Sequence, residues 1–208
     1  MGTPSRKNIS NLKKLFYSRD ISLITQGIEL MRSLEDIDLY NHFLADVACD
    51  AEGFTPNKLF SGTGPAQPFL DHALLGLISH APAECKKAVE VRETMTSFRV
   101  NEEAIQIPDL SGFSGLTSLD LESCESLQSL SGIEGLAGLT SLNLYGCTSL
   151  QSLSGIEGLA GLTSLSLSEC NSLQSLSGIE GLAGLTSLDL DSCNSLQSLS
   201  GIEGLAGL

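Results

Sequence analysis

Residues Gly115 to Ala137 read GLTSLDLESCESLQSLSGIEGLA, and near copies of this 23-residue unit begin at Gly138, Gly161 and Gly184. Four complete copies are present, and the sequence stops at Gly207-Leu208, two residues into a fifth. Within the first copy the apolar positions are Leu116, Leu119, Leu121, Cys124, Leu127, Leu130, Ile133 and Leu136, and all recur in register in the others. A fixed period of this length marks a stack of identical coils. The segment Ser118-Leu119-Asp120-Leu121-Glu122 alternates polar and apolar, the pattern of a short strand with Leu119 and Leu121 on its buried face. One such strand cannot bury its leucines alone. Stacked copies form a parallel sheet, and the remaining leucines with Ile133 line the return path over the same core, punctuated by Gly132 and Gly135. Each buried leucine stabilises by roughly 1.5–3 kcal/mol, most of it offset by chain entropy.

The pattern LxxLxLxxCxxLxxLxGIxxL resembles the leucine-rich repeat signature, with cysteine where that family holds Asn or Cys. The resemblance covers residues 93–208 and is to bacterial proteins with short, internalin-like repeats; the LxLxxCxxL core is also similar to plant immune-receptor repeats. It implies an α/β solenoid, a right-handed superhelix with a concave parallel sheet, that binds other proteins and carries no catalytic residues. Upstream of Gly115, subtracting 23 aligns a degenerate repeat: Asn101 falls at the Cys124 position, Ile107 at Leu130, Leu110 at Ile133 and Phe113 at Leu136. The first coil then begins near Glu93, irregular as a terminal repeat should be. A polar capping repeat at the other end is not seen, so the sequence reads as truncated.

Residues 8–90 show helical periodicity instead. Leu12, Leu15 and Phe16 suggest a first helix, and Asp20 can cap a second that carries Ile21, Ile24, Ile28 and Met31. A third spans about Asp36 to Ala48 with Leu39, Phe43, Leu44 and Val47 on one side, and Pro68 opens a fourth with Phe69, Leu70, Leu74, Leu75 and Ile78. These helices predict a small all-α bundle over residues 1–92 that covers the first edge of the sheet, or else a separate docking module. Asp50 to Gln67 reads as a loop: Gly62-Thr63-Gly64-Pro65 lacks the phosphate-loop spacing, and Lys58 precedes the glycines.

Charge is unevenly spread along the 208 residues, whose net charge is −14. Up to Arg99 there are 11 basic and 12 acidic residues; from Val100 onward there are 13 acidic residues and no Lys or Arg. Such a field disfavours nucleic acid and anionic membranes and speeds the arrival of a basic protein, or simply keeps a repetitive surface soluble. No apolar stretch is long enough for a signal peptide or a bilayer span, so a cytoplasmic location is expected, with delivery to a host cell left open. Arg6 stands where a myristoylation motif after Gly2 needs Ser or Thr.

Candidate chemistry is sparse. His42, His72 and His80 fall in the helical unit, and neither Cys49 nor Ser61 sits in a nucleophile motif, so no enzymatic activity and no cofactor are expected. The column Cys124, Cys147, Cys170 and Cys193 could meet a metal or form bonds, but without CxxC pairs or a nearby His it reads as a ladder of small buried thiols. Reduced cysteines and no metal site are expected.

Only four of the 23 columns differ among the complete copies. They hold Asp120, Asn143, Ser166 and Asp189; Glu122, Tyr145, Ser168 and Asp191; Ser123, Gly146, Glu169 and Ser192; and Glu125, Thr148, Asn171 and Asn194. The first two are the outward strand positions, and the others follow at its C-terminal end. Exposed columns such as Gln128 and Glu134 stay frozen, which points to a partner-binding face where variation is concentrated. Tyr145 is its natural aromatic anchor, and Asp120, Glu122, Glu169, Asp189 and Asp191 would meet basic groups. A calcium site would need six or more converging oxygens, whereas these carboxylates alternate with Ser and Tyr. The leading expectation is a protein-binding scaffold. The alternatives are a structural or assembly element, or the regulatory region of a larger protein whose catalytic domain lies beyond residue 208.

Overall fold

In the computed structural model, the described residues are 6–16, 18, 20–34, 36–44, 48–50, 53–55, 67–100, 104, 106, 107 and 109–208. Helices α1 (Arg6–Phe16), α2 (Ile21–Leu34) and α3 (Ile37–Leu44) are followed by strands β1 (Ala48–Asp50) and β2 (Gly53–Thr55), then α4 (Gln67–His80) and α5 (Lys86–Thr94). Strands β3 (Ser97–Arg99), β4 (Ser118–Asp120), β5 (Ser141–Asn143), β6 (Ser164–Ser166) and β7 (Ser187–Asp189) then form one parallel five-stranded sheet in chain order.

The cap expected at Asp20 is present, and Asp36 caps the third helix in the same way. Asp20 Oδ1 accepts the Ser22 N–H at 2.8 Å, and Asp36 Oδ1 accepts the Leu39 N–H at 3.1 Å, each satisfying a donor that the first helical turn leaves unpaired. Leu12, Phe16, Ile24, Ile28, Met31, Leu39, Phe43, Leu74, Leu75 and Ile78 are all buried, as their spacing requires. Phe16 meets Phe43 edge-on at 5.1 Å between ring centroids. Gly76 lets α4 approach α2, because a Cβ there would collide with Ile28.

Three features differ from the sequence reading. The third helix ends at Leu44 and Ala48 opens an antiparallel pairing with β2, so part of the segment read as helix and loop is a β-ladder. Three-residue strands are too short for alternation to register. Val47 and the Gly62-Thr63-Gly64-Pro65 stretch lie outside the described residues, as do Lys58 and Ser61. The fifth helix, α5, was not expected. It opens on two lysines and buries only Ala88 and Val91, a stripe too thin to stand out among charges.

The first coil is also shorter than 23 residues along its strand side. Ser97, Phe98 and Arg99 pair with Ser118, Leu119 and Asp120, an offset of 21, whereas later strands pair at an offset of 23. The return path keeps the longer offset: the Phe113 N–H donates to Leu110 O just as the Leu136 N–H donates to Ile133 O. Two fewer residues therefore separate Val100 from Leu110 than separate Leu121 from Ile133, so a uniform 23-residue shift does not describe the whole coil. Asn101 itself lies outside the described residues.

Each coil passes its backbone hydrogen bonds to the next. The Leu121 N–H donates to Asn143 O and the Thr140 N–H to Thr117 O, both at 2.8 Å, and the pattern repeats along the stack. Threonine hydroxyls follow: Oγ1 of Thr117, Thr140, Thr163 and Thr186 each donates to the threonine carbonyl one coil earlier, at 3.0–3.1 Å. Cys124, Cys147 and Cys170 are buried and Cys193 is half-buried, and Sγ of Cys147, Cys170 and Cys193 donates to the carbonyls of Leu121, Leu144 and Leu167 at 3.1–3.2 Å. Burial pushes the Cys170 thiol up to about 12 and the Cys147 thiol higher, so these sulfurs stay protonated donors.

The helical unit and the coils share one continuous core from Leu12 to Leu205. At their junction Ser79 Oγ donates to Asp109 O at 2.6 Å, His80 Nε2 stands 3.6 Å from Asp109 Oδ2, and the Gly115 N–H donates to Arg92 O at 3.1 Å. No helix among the described residues is long and apolar enough to cross a membrane.

A Cβ on Gly115 would meet the Glu93 carbonyl, while one on Gly158 would meet nothing within 4 Å. Gly115→Ala should therefore lower stability by about 1–3 kcal/mol, the usual cost of overpacking against backbone, with Gly158→Ala close to neutral. Denaturant titration of the two variants checks the contrast.

Candidate functional site

The first outward column begins each turn after the strand. Asp120 Oδ1 accepts the Glu122 N–H, Asn143 Oδ1 the Tyr145 N–H and Asp189 Oδ1 the Asp191 N–H, all at 3.0 Å. These local turns favour Asp or Asn over other residues, so part of this column's restricted variation is structural. The residue three further on adopts a left-handed backbone in every complete coil: φ is 60° at Ser123, 71° at Gly146, 61° at Glu169 and 57° at Ser192. Only Gly146 does so without steric cost.

On the solvent side of the sheet these residues meet across coils. Asn143 Nδ2 donates to Asp120 Oδ1 at 3.0 Å, and Asn194 Nδ2 to Asn171 Oδ1 at 2.7 Å. Tyr145 is 37% exposed, and its hydroxyl donates to Glu169 Oε1 at 2.7 Å in the following coil. That hydrogen bond and the Glu169 charge raise the Tyr145 hydroxyl above its ordinary value, with Glu122 and Asp191 adding to the effect. Ser168, expected among the contact residues, is only 6% exposed and offers a partner almost no surface. Ser166 and Thr148 are half-buried, and Glu125, Asp189, Asp191 and Asn194 are exposed.

Two of the acidic residues already have a cation. Arg99 on β3 places Nη1 3.6 Å from Asp120 Oδ2 and Nη2 3.6 Å from Glu122 Oε2, so its fork spans both outward columns of the first complete coil. Asp120 and Glu122, expected to meet a partner's basic groups, thus face a basic group of the chain itself. The sequence did not expose this pair, because the 23-residue alignment put Ser97 rather than Arg99 beside Asp120.

The frozen exposed columns have internal partners too. Glu134 Oε2 accepts the Gly132 N–H at 2.6 Å, and Glu157, Glu180 and Glu203 close the same turn on Gly155, Gly178 and Gly201 at 2.7–2.8 Å. Ser129 Oγ accepts the Ser131 N–H at 3.0 Å, a bond that Ser175 and Ser198 repeat in later coils. Constancy at these positions reflects coil closure. Gln128 shows no such bond and remains the plainer example of a frozen exposed residue.

In the helical unit, His80 is engaged with Asp109 and Nε2 of His42 is buried without a hydrogen-bond partner among the described residues. The side chains of Cys49 and His72 lie outside the described residues. Among the described residues no three His, Cys, Asp or Glu side chains are grouped to hold a metal ion.

Two outcomes are expected from these turns. Ser123→Gly and Ser192→Gly relieve left-handed strain and should each raise stability by up to about 1 kcal/mol, whereas Glu169→Gly also loses the Tyr145 bond and should gain less; thermal melts check the order. The Glu203 carboxylate is held below its ordinary value by its own N–H and that of Gly201. Its contribution is complete above the ordinary glutamate range and is lost as pH falls through the lowered folded value. The protection factor of the Gly201 amide, its exchange relative to an unstructured chain, should therefore fall as pH drops through the lowered Glu203 value in the wild type and be small at every pH in Glu203→Ala.

Residues 160–204 match a family model described as Leucine Rich repeats (2 copies), less than a quarter of the chain. No curated protein matches. Three solved structures, all from Listeria monocytogenes, are similar in part. Internalin C2 shares 25% identity at a TM-score of 0.43, over 50% of this chain and 44% of that one. The functional domain of InlJ, described as including a cysteine ladder, shares 14% identity at a TM-score of 0.29, over 56% and 34%. Internalin InlF shares 15% identity at 0.28, over 95% and 75%. The chain thus spans less than half the length of the first two. The matched span is two of four near-identical 23-residue coils, and the part of this chain built from those coils is a leucine-rich repeat solenoid.

Proposed function

We propose that the chain is a protein-binding scaffold whose partner contacts the solvent face of the sheet and the turns after its strands. In this reading residues 1–92 act as the cap of the solenoid formed by residues 93–208, and their shared core supports that division of labour. The observation that carries the proposal is the contrast between exposed columns. Those held constant at Glu134, Ser129 and Ser131 are bonded into coil closure, while those that vary lie together around Tyr145. An exposed tyrosine beside carboxylates that have no ion pair among the described residues offers both apolar area and charge to a basic protein. The contact set is Tyr145, Glu169, Asp189 and Asp191 at the centre, with Asn143, Thr148, Ser166, Asn171, Asn194 and Glu125 around them. Asp120 and Glu122 contribute only if Arg99 gives them up. A hollow curvature of the sheet, as in similar repeat proteins, would gather these side chains toward one partner.

The test combines Tyr145→Ala with Asp189→Asn and Asp191→Asn. A partner captured by the wild type, then purified, should bind the triple variant at least about tenfold more weakly with an unchanged melting temperature. Gln128→Ala, which disturbs no hydrogen bond seen here, should leave binding intact. Equal loss from Gln128→Ala, or undiminished binding by the triple variant, would exclude this face.

A further inference from the structure

A histidine stands at the seam between α1 and α3. Phe16 of α1 meets Phe43 of α3 edge-on, and Leu12, one turn earlier on α1, is buried with it. His42 precedes Phe43, and the two rings are edge-on with centroids 5.6 Å apart. Its Nε2 is shut off from solvent and has no hydrogen-bond partner among the described residues. An unpaired buried nitrogen is least costly as a bare lone pair; a proton there adds a charge that no acceptor receives. The charge that acts on His42 is that of Lys13 on α1, and it has the same sign. Asp38, one turn earlier on α3, supplies nothing to offset it. Charges on the other helices packed against α3 are turned elsewhere. His80 of α4 faces Asp109, Lys87 and Glu90 of α5 face each other, and Arg92 donates to Ser79 O. Burial first, and Lys13 second, hold the His42 imidazole below its ordinary value.

We propose that the α1–α3 seam is an acid-sensitive latch: protonation of His42 sets a second positive charge against Lys13 in an apolar contact, and α1 comes away, uncovering Leu12 and Phe16. The open seam binds the proton more readily than the closed one. Stability of the closed seam is therefore complete above the ordinary histidine range, falls as pH drops through that range, and levels off below the lowered closed-state value. His80 works in the opposite sense, because a proton on it places a charge beside Asp109 and favours the junction with the first coil. Residues 81–208 contain no histidine, so mild acid acts on the helical unit and leaves the coils as they are.

Amide protection factors and the fluorescence of a dye that binds apolar surface, both taken at about pH 8 and about pH 5.5, where carboxylates stay ionised, test the latch. In the wild type the amides of α1 should lose protection at the lower pH and dye binding should rise, while coil amides such as Leu142 and Leu165 hold theirs. His42→Phe keeps a ring beside Phe43 and takes no proton, so both differences should vanish. Should that variant fail to fold, the imidazole resonances of His42 decide. Their midpoint should lie below that of a free histidine in the wild type and rise in Lys13→Gln, which also should keep more α1 protection in acid. An undiminished acid response in His42→Phe, or protection lost equally by coils and helices, overturns the proposal. So does a His42 midpoint at or above that of the free amino acid, or one indifferent to Lys13→Gln.

Discussion

Everything in this molecule depends on coil-to-coil hydrogen bonding at constant register. A three-residue strand buries one or two leucines and could not persist by itself. Bonded on both sides, it becomes part of a sheet whose interior is filled by the same eight apolar columns in each turn. The threonine hydroxyls and the cysteine thiols reinforce the register, each donating to a carbonyl of the preceding coil. Placing weak S–H donors there satisfies buried carbonyls without bringing charge into the core.

The same register arranges the surface. Because every coil repeats the last, residues 23 positions apart become neighbours, and their chemistry is set by pairs rather than by single residues. Tyr145 is held by Glu169, Asn143 by Asp120 and Asn194 by Asn171. Net charge misleads at this scale. Arg99, the last basic residue in the sequence, lies on the first strand and compensates two of the carboxylates that the count assigns to an acidic face. Among the described residues, the carboxylates of this face with no ion pair, Glu169, Asp189 and Asp191, lie toward β7.

The repeat, its buried columns, the parallel sheet and the first helices were legible in the sequence because each rests on a periodic pattern or a cap that residues such as Leu119 and Asp20 declare locally. The antiparallel pair at Ala48 and Gly53 was not, since three residues have no period, and α5 was hidden by its charges. The shortened first coil escaped because its return path keeps the common spacing at Leu110 and Phe113 while its strand does not. For the candidate face, the sequence located the varying columns but could not tell that Glu134 closes a turn on Gly132, or that Ser168 is buried and Tyr145 is held by Glu169. Those facts are properties of pairs of residues brought together only in the folded coil.

Near-identity of the coils has a consequence for how such a surface changes. Copies at Gly138 and Gly161 present the same interior to their neighbours on either side, so excision or duplication of one whole unit would rejoin matching ends and leave the packing scheme intact. Recombination between such copies would shift the spacing of Tyr145 from Asp189 by whole rungs. Reach would vary in quantised steps while the foundation stayed fixed.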